Sequence, residues 1–179
     1  MLGVILAGGR SSRMGQDKSR LLVNGRTLLQ HQQNILQQLG LETVVSGPDG
    51  IHDDIQGYPG PLAGIYSVVR QTPSDSWLFV PVDLPLLTAA TLNKLIKHSS
   101  RQGCCFEHHP LPLLLQRSAE LIPHLRERLT QTGAALSVRA FANSMNIEWL
   151  PLTGGDERCL GNANNPQQWQ SLLTQIQEN

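Results

Sequence analysis

Short unbroken apolar runs alternate with stretches of helical spacing along most of the chain. "LGVIL" at Leu2 to Leu6 has no polar interruption, the pattern of a strand covered on both faces of a mostly parallel sheet. After the turn dipeptide Asn24-Gly25, "TLLQHQQNILQQLG" sets Leu28, Leu29, Gln32, Ile35, Leu36 and Leu39 near a helical period, with Thr27 as N-cap and Gly40 at the C-terminal end. "ETVVS" predicts a second strand, "GPLAGIYSVVRQ" a helix opened by Pro61, and "WLFVPVD" a third, wholly apolar strand. Thr88 then caps a helix running to about Lys97.

Beyond Gln102 the pattern weakens. It predicts strands near Cys104 and Leu113, a helix from Ser118 to Leu129 in spite of Pro123, and another helix around Ala134 to Ala142. "IEWLPL" predicts the last strand, and Trp169, Leu172, Leu173 and Ile176 give Gln167 to Gln177 an amphipathic helical pattern. Strands alternating with helices predict one α/β domain over 1–179, with no repeat or long linker to divide it.

Charge narrows the function. The 14 Lys plus Arg balance the 14 Asp plus Glu among 179 residues, so no global field draws a polyanion and any anion affinity is local. Bulk nucleic-acid binding is disfavoured. The longest apolar runs fall far short of the roughly 20 residues that span a bilayer, and the N-terminus lacks a cleavable signal pattern, so a cytoplasmic protein without membrane contact is expected. The 3 cysteines, Cys104, Cys105 and Cys159, make no CxxC pair and suit a reducing compartment as buried or incidental thiols.

The local anion affinity has a place. "LAGGRSSRMGQDKSRLL" follows the first strand, and its glycines allow backbone N–H groups to approach an anion while Arg10, Arg13 and Lys18 supply charge. Neither G-x-x-x-x-G-K-[ST] nor G-x-G-x-x-G is present, which removes the support for kinase-like and dinucleotide-dehydrogenase readings. A solvated turn with surface cations is the competing reading. At the end of "FVPVDLP", Asp83 puts a carboxylate at the sheet edge from which the first loop also opens. An acid beside a polyphosphate needs a cation between them, and Mg²⁺ takes one or two carboxylates together with phosphate oxygens. Asp83 is thus a candidate metal ligand; a turn aspartate before Pro85 is the alternative.

Taken together, these motifs resemble a known family. LAGG-x-S-x-RMG-x-DK at Leu6 to Lys18, "LLVNGRTLLQH", "YPGPLAGI" at Tyr58 to Ile65, "PVDLP" at Pro81 to Pro85 and "NANNP" at Asn162 to Pro166 resemble the molybdenum cofactor guanylyltransferases, within the Rossmann-like nucleotidyltransferases. The resemblance implies a single-domain Rossmann-like three-layer sandwich. It further implies transfer of GMP from GTP to the terminal phosphate of molybdenum-molybdopterin, with release of pyrophosphate. On that resemblance, Leu6, Ala7, Gly8 and Gly9 hold the nucleotide, Arg13 and Lys18 neutralise phosphates, Asp83 binds Mg²⁺, and Ser46 and Asp53 lie by the guanine nucleotide, with a solvated loop acid beside Asp54 as the other reading of Asp53. Asn162 and Asn164 resemble late asparagines near the metal and the pterin acceptor, with local caps at a turn before Pro166 as the other reading, and the resemblance makes 1–100 mainly the nucleotide half and 101–179 mainly the acceptor half. LAGG favours GTP over CTP, since cytidylyl relatives tend to show LAAG. The implied partners are transient: proteins that deliver the cofactor and chaperones of recipient molybdoenzymes.

This chain departs from the family pattern at Ser46, where asparagine is frequent, at Val82, where cysteine is frequent, and at Asn165, where threonine is common. His109 resembles an HP pair of the family with a pterin-side contact, against a plain surface loop at His108-His109-Pro110. Gly154-Gly155 reads equally as a pterin-side loop or a turn. The alternatives to a guanylyltransferase are a sibling enzyme acting with CTP or on a sugar phosphate, and a non-catalytic GTP-binding partner protein.

Overall fold

The computed structural model describes residues 1–8, 18–23, 25–55, 60–162 and 169. Leu2–Leu6 forms strand β1, buried along its whole length as an uninterrupted apolar run requires. Lys18–Arg20 makes one 3₁₀ turn, and Leu22–Val23 (β2) pairs antiparallel with Arg26–Thr27 (β3) around Gly25, whose φ is +75°. Two residues per strand are too few to leave an alternating apolar signature, so this small hairpin could not be read from periodicity.

Helix α1 (Leu28–Gln38) starts with a full capping box: Gln30 N–H donates to Thr27 Oγ1 at 3.1 Å, and Thr27 N–H donates to Gln30 Oε1 at 3.0 Å. It ends at Leu39, and Gly40 follows with φ +70°. The order continues with β4 (Glu42–Ser46), α2 (Pro61–Gln71), β5 (Ser76–Pro81), α3 (Ala89–Lys97, capped by Thr88), β6 (Gly103–Phe106) and β7 (His109–Gln116). Helix α4 (Leu121–Arg128) begins later than the spacing predicts. Pro123 fits because it occupies the first turn, where an N–H has no intrahelical acceptor.

The helix expected over Ala134 to Ala142 is two pieces, a 3₁₀ turn at Gly133–Leu136 and helix α5 (Val138–Ser144). Ser137 divides them: its backbone is extended and its Oγ accepts from Ala140 N–H at 3.1 Å, a helix start in the middle of the apolar pattern. Strand β8 (Glu148–Leu150) and a short α6 (Asp156–Cys159) follow. The helix expected over Gln167 to Gln177 lies outside the described residues apart from Trp169, which is buried.

The strands form one sheet in the order β4-β1-β5-β7-β6-β8, in which β7 runs antiparallel to both neighbours and the other pairs are parallel. Alternating side chains feed two cores. Val4, Trp77, Phe79 and Cys105 meet α2, α4 and α5 on one face, and Ile5, Leu78, Val80 and Cys104 meet α1 and α3 on the other. The result is the α/β domain that the strand pattern predicts, in the three-layer form that the family resemblance implies. Cys104 and Cys105 are buried and burial pushes both thiols up to about 12, so they are packing residues. No helix among the described residues is long and apolar enough to cross a membrane.

Candidate active site

Three parallel strands end side by side at the carboxyl edge of the sheet. Leu6 is paired with Ser46 of β4 on one flank and with Pro81 of β5 on the other. The ends are tied one step beyond the ladder, since Ala7 N–H donates to Ser46 O at 2.9 Å and Val82 N–H donates to Leu6 O at 3.1 Å. Leu6 is buried, Ala7 partly so, and Gly8 exposed, so the chain reaches the open edge at Gly8.

Two glycines permit this convergence. A Cβ on Gly47 would stand 3.1 Å from Gly8 N and 3.2 Å from Ala7 C, too close to main chain to be relieved by a rotamer. A Cβ on Gly64, near the start of α2, would stand 2.6 Å from Ser46 Oγ and 3.5 Å from both Asp53 Oδ1 and Leu6 Cδ2. The sequence reading gave neither glycine a role. The signal was there in Gly64, since a glycine inside a helix costs about 1 kcal/mol against alanine and calls for a contact that explains it.

Across this edge, Lys18 Nζ donates to Asp83 Oδ2 at 2.9 Å, with the two side chains 19% and 24% exposed. The structure therefore brings together Leu6, Ala7, Gly8, Lys18 and Asp83, as the motif order implies. Ser46 closes the β4 flank, buried, with its carbonyl held by Ala7 and its hydroxyl against Gly64. Gly9, Arg13 and Asn164 lie outside the described residues.

The adjacent acids Asp53 and Asp54 are sorted by α2. Asp54 is bound to the helix through Arg70 Nη1 at 3.1 Å and Gln71 Nε2 at 2.9 Å, and its N–H donates to Ser67 Oγ at 2.8 Å. That anchoring turns Asp53 toward Gly64 and Ser46. Partial burial of the carboxyl raises the Asp53 pKa above its ordinary value, the charge of Asp54 adds to the rise, and His52 opposes it.

The second half of the chain reaches the same edge. Because β7 runs against β5, the turn at Glu107 and His108 stands on the side where β5 ends, as does the end of β8. His108 has φ +64°, and its carbonyl accepts from Arg139 Nη2 at 2.6 Å while the guanidinium lies 5.3 Å over the Trp149 ring. Burial lowers the His109 pKa, Glu157 opposes, and His108 and Arg139 reinforce it, which keeps the ring neutral near pH 7.

The Gly154-Gly155 turn is fixed by its neighbour. Asp156, 4% exposed, receives Lys94 Nζ at 2.6 and 2.8 Å, Thr153 N–H at 2.9 Å and Thr91 Oγ1 at 3.4 Å, which locks the turn onto α3. Burial alone would raise the Asp156 pKa, but the Lys94 and Thr153 hydrogen bonds hold it below the ordinary value. Past this anchor, Leu160 enters the core layer of Val82 and Leu84, and Asn162 is exposed.

Comparison with known proteins agrees with this geometry. A family model described as "MobA-like NTP transferase domain" matches residues 3–146. A molybdenum cofactor guanylyltransferase of Xanthomonas euvesicatoria is 37% identical, with 96% of this chain and 93% of that protein covered. Among solved structures, the molybdopterin-guanine dinucleotide biosynthesis protein A of Archaeoglobus fulgidus superposes with TM-score 0.65 at 15% identity over 99% of this chain and 97% of that one. The 2-C-methyl-D-erythritol 4-phosphate cytidylyltransferase of Thermus thermophilus gives 0.63 at 14% identity, covering 98% of each chain, so the fold is shared with enzymes named for a different nucleotide. The strand-end geometry, the family match and the near full-length relative agree, and the chain belongs to the MobA-like NTP transferase family, with the molybdenum cofactor guanylyltransferases as its relatives.

Proposed function

We propose that this chain transfers GMP from GTP to the terminal phosphate of molybdenum-molybdopterin, forming the guanine dinucleotide cofactor and pyrophosphate. The observation that carries this reading is the Lys18 to Asp83 contact beside the end of β1, a cation and a carboxylate within 2.9 Å where an open α/β sheet binds ligands. The acceptor phosphate is a monoester with a second pKa near 6. It is already largely ionised at pH 7, so the nucleophile needs no general base and catalysis reduces to alignment and charge neutralisation at the α-phosphorus.

Each part of the edge then has a task. Gly8 and Gly9 offer main-chain N–H groups to the nucleotide after the tightly bound Leu6 and Ala7. Lys18 and Arg13 offset the charge of the triphosphate and of the departing pyrophosphate, and Ser46 and Asp53 border the guanine. Asn162, Asn164 and the His109 turn border the acceptor, which divides the chain into a nucleotide half, 1–100, and an acceptor half, 101–179.

The donor set suits Mg²⁺ better than a tightly caged metal. Among the described residues no cluster of three or more His, Cys, Asp or Glu is built to hold an ion, and Asp83 presents a single, partly exposed carboxylate. Mg²⁺ keeps most of its water and completes its shell with substrate phosphates. When bound there, it would neutralise developing charge on the phosphate oxygens. Lys18 would exchange its bond with Asp83 for one with phosphate. A cytoplasmic setting, with other proteins delivering and collecting the cofactor, accompanies this reading.

The test is pyrophosphate release from each of the four nucleoside triphosphates, with Mg²⁺ and a molybdopterin acceptor present or withheld. Release with GTP, dependent on both metal and acceptor, is expected. Release with CTP would make the chain a cytidylyl sibling, and GTP binding without release would make it a non-catalytic binder.

A further inference from the structure

Helix α1 grips the chain on both sides of the Lys18 and Asp83 contact. At its first residue, Leu28 N–H donates to Leu21 O at 2.8 Å, and Leu21 N–H closes the turn that carries Lys18 by donating to Lys18 O at 3.1 Å. One turn along the helix, Gln32 is fully buried and its Nε2 donates to Leu84 O, directly after Asp83, at 2.8 Å. Leu84 O also accepts from Leu87 N–H at 3.2 Å, which closes the turn behind the carboxylate. Helix α1 thus holds the start of the turn that follows the carboxylate through Gln32.

Gln32 is an expensive choice for its place. Its neighbours in that core are Leu28, Ile35 and Leu36, and an aliphatic side chain would fill the position without desolvating an amide. Gln32 Oε1 is buried and has no hydrogen-bond partner among the described residues, so half of the amide is desolvated without compensation. Packing does not explain this residue; the bond to Leu84 does.

We propose that Gln32 is a positioning residue, which by holding the Leu84 carbonyl fixes the main chain that carries Asp83 and sets that carboxylate against Lys18. Leu28 does the same for the Lys18 side through Leu21, so α1 acts as a common reference for the two groups. Without the Gln32 bond, the bonds from Val82 N–H to Leu6 O and from Leu87 N–H to Leu84 O still hold the strand end and the turn. The fold survives, and the carboxylate loses its fixed direction. Residues that orient a metal-binding group through a hydrogen bond typically affect affinity or activity on the order of 10-fold or more. This inference rests on the reading of Asp83 as the carboxylate that receives the metal.

The experiment uses the full chain and the variants Gln32→Met, Gln32→Glu and Asp83→Asn. Binding of Mn²⁺ to the protein in the presence of GTP is titrated by electron paramagnetic resonance, beside kcat, the KM for GTP and the melting temperature. For Gln32→Met, Mn²⁺ affinity and kcat should each fall about 10-fold, with the KM for GTP within about twofold and the fold intact. Gln32→Glu adds a readout that a packing role would not move. Its protonated carboxyl can donate to Leu84 O and its carboxylate cannot, so Mn²⁺ affinity relative to the parent protein should fall as pH rises, whereas the Gln32→Met deficit stays constant. Parent-like Mn²⁺ affinity and kcat in Gln32→Met, with affinity lost in Asp83→Asn, would overturn the positioning role and leave the metal reading standing. Unchanged Mn²⁺ affinity in Asp83→Asn would overturn both.

Discussion

Lys18 Nζ and Asp83 Oδ2 meet at 2.9 Å across 65 positions of sequence, at the edge where β1 and β5 both end. The pair is partly exposed, and an ion pair in such a setting contributes about 1 kcal/mol or less to stability. The pair therefore adds little to the fold, which leaves room for the proposed role toward the nucleotide phosphates and metal.

Lys18→Met should therefore separate activity from stability. Loss of one preorganised charge aimed at a developing anion costs roughly 100-fold in turnover. The melting temperature should move by only a few degrees. Pyrophosphate release and thermal unfolding on the same preparation check this, and a large drop in melting temperature with normal turnover would assign the pair to structure.

Gly64 makes a sharper steric prediction. Gly64→Ala places a Cβ 2.6 Å from Ser46 Oγ, so either the hydroxyl or the start of α2 must shift, at a cost of about 1–3 kcal/mol. Asp53 moves with them, and the KM for GTP should rise. Adding Ser46→Ala removes the atom in the way and should restore much of both losses, a favourable coupling in a double-mutant cycle. Simple additivity of the two substitutions would place the strain elsewhere.

What the sequence made legible follows from how far each signal reaches. Leu2 to Leu6 and Trp77 to Pro81 were readable as strands because both faces are covered, and α1 because Thr27 and Gly40 mark its ends. The meeting of Lys18 and Asp83 was legible because the loop after β1 and the end of "FVPVDLP" open from the same edge of the sheet. Gln32 was counted on an apolar face, but its partner Leu84 lies 52 positions away, a distance over which periodicity says nothing. The same applies to Ser46 beneath Gly64 and to Asp156 beneath α3, where short-range pattern shows a turn and only the tertiary contact shows what the turn is for. Ser137 failed in the opposite way, since its local hydrogen bond to Ala140 overrode an apolar spacing that continued through it.

Lys94→Met tests the Asp156 anchor. Asp156 would keep its Thr153 and Thr91 bonds but lose the cation that compensates a nearly buried charge, a loss of about 2 kcal/mol, moderated because Lys94 itself is 43% exposed. In the parent protein the Asp156 pKa is held below 3.8, so its contribution is present above that value and is lost as pH falls through the folded pKa. In Lys94→Met burial dominates and the pKa rises. The deficit seen by urea unfolding at pH 7 should shrink toward pH 4, and the KM for the acceptor should rise as the segment leading to Asn162 loosens. A deficit independent of pH would mean that Lys94 contributes only its aliphatic stem.

His31 gives the opposite dependence on acid. Burial lowers its pKa below 6.5, the hydrogen bond with the Leu87 backbone raises it, and Arg26 lowers it again, with burial largest. The unfolded chain therefore binds a proton near pH 6.5 that the folded chain refuses, so stability is full above that pH, declines as pH drops toward the folded pKa, and levels off below it. His31→Asn keeps a polar side chain at the position and removes the titration. Its melting temperature should lie below that of the parent protein at pH 8, and the gap should close as pH falls to 5.5. A gap that stays constant over this range would show that His31 binds protons equally in the folded and unfolded chain, and that its place beside the Asp83 turn is a matter of shape rather than of charge.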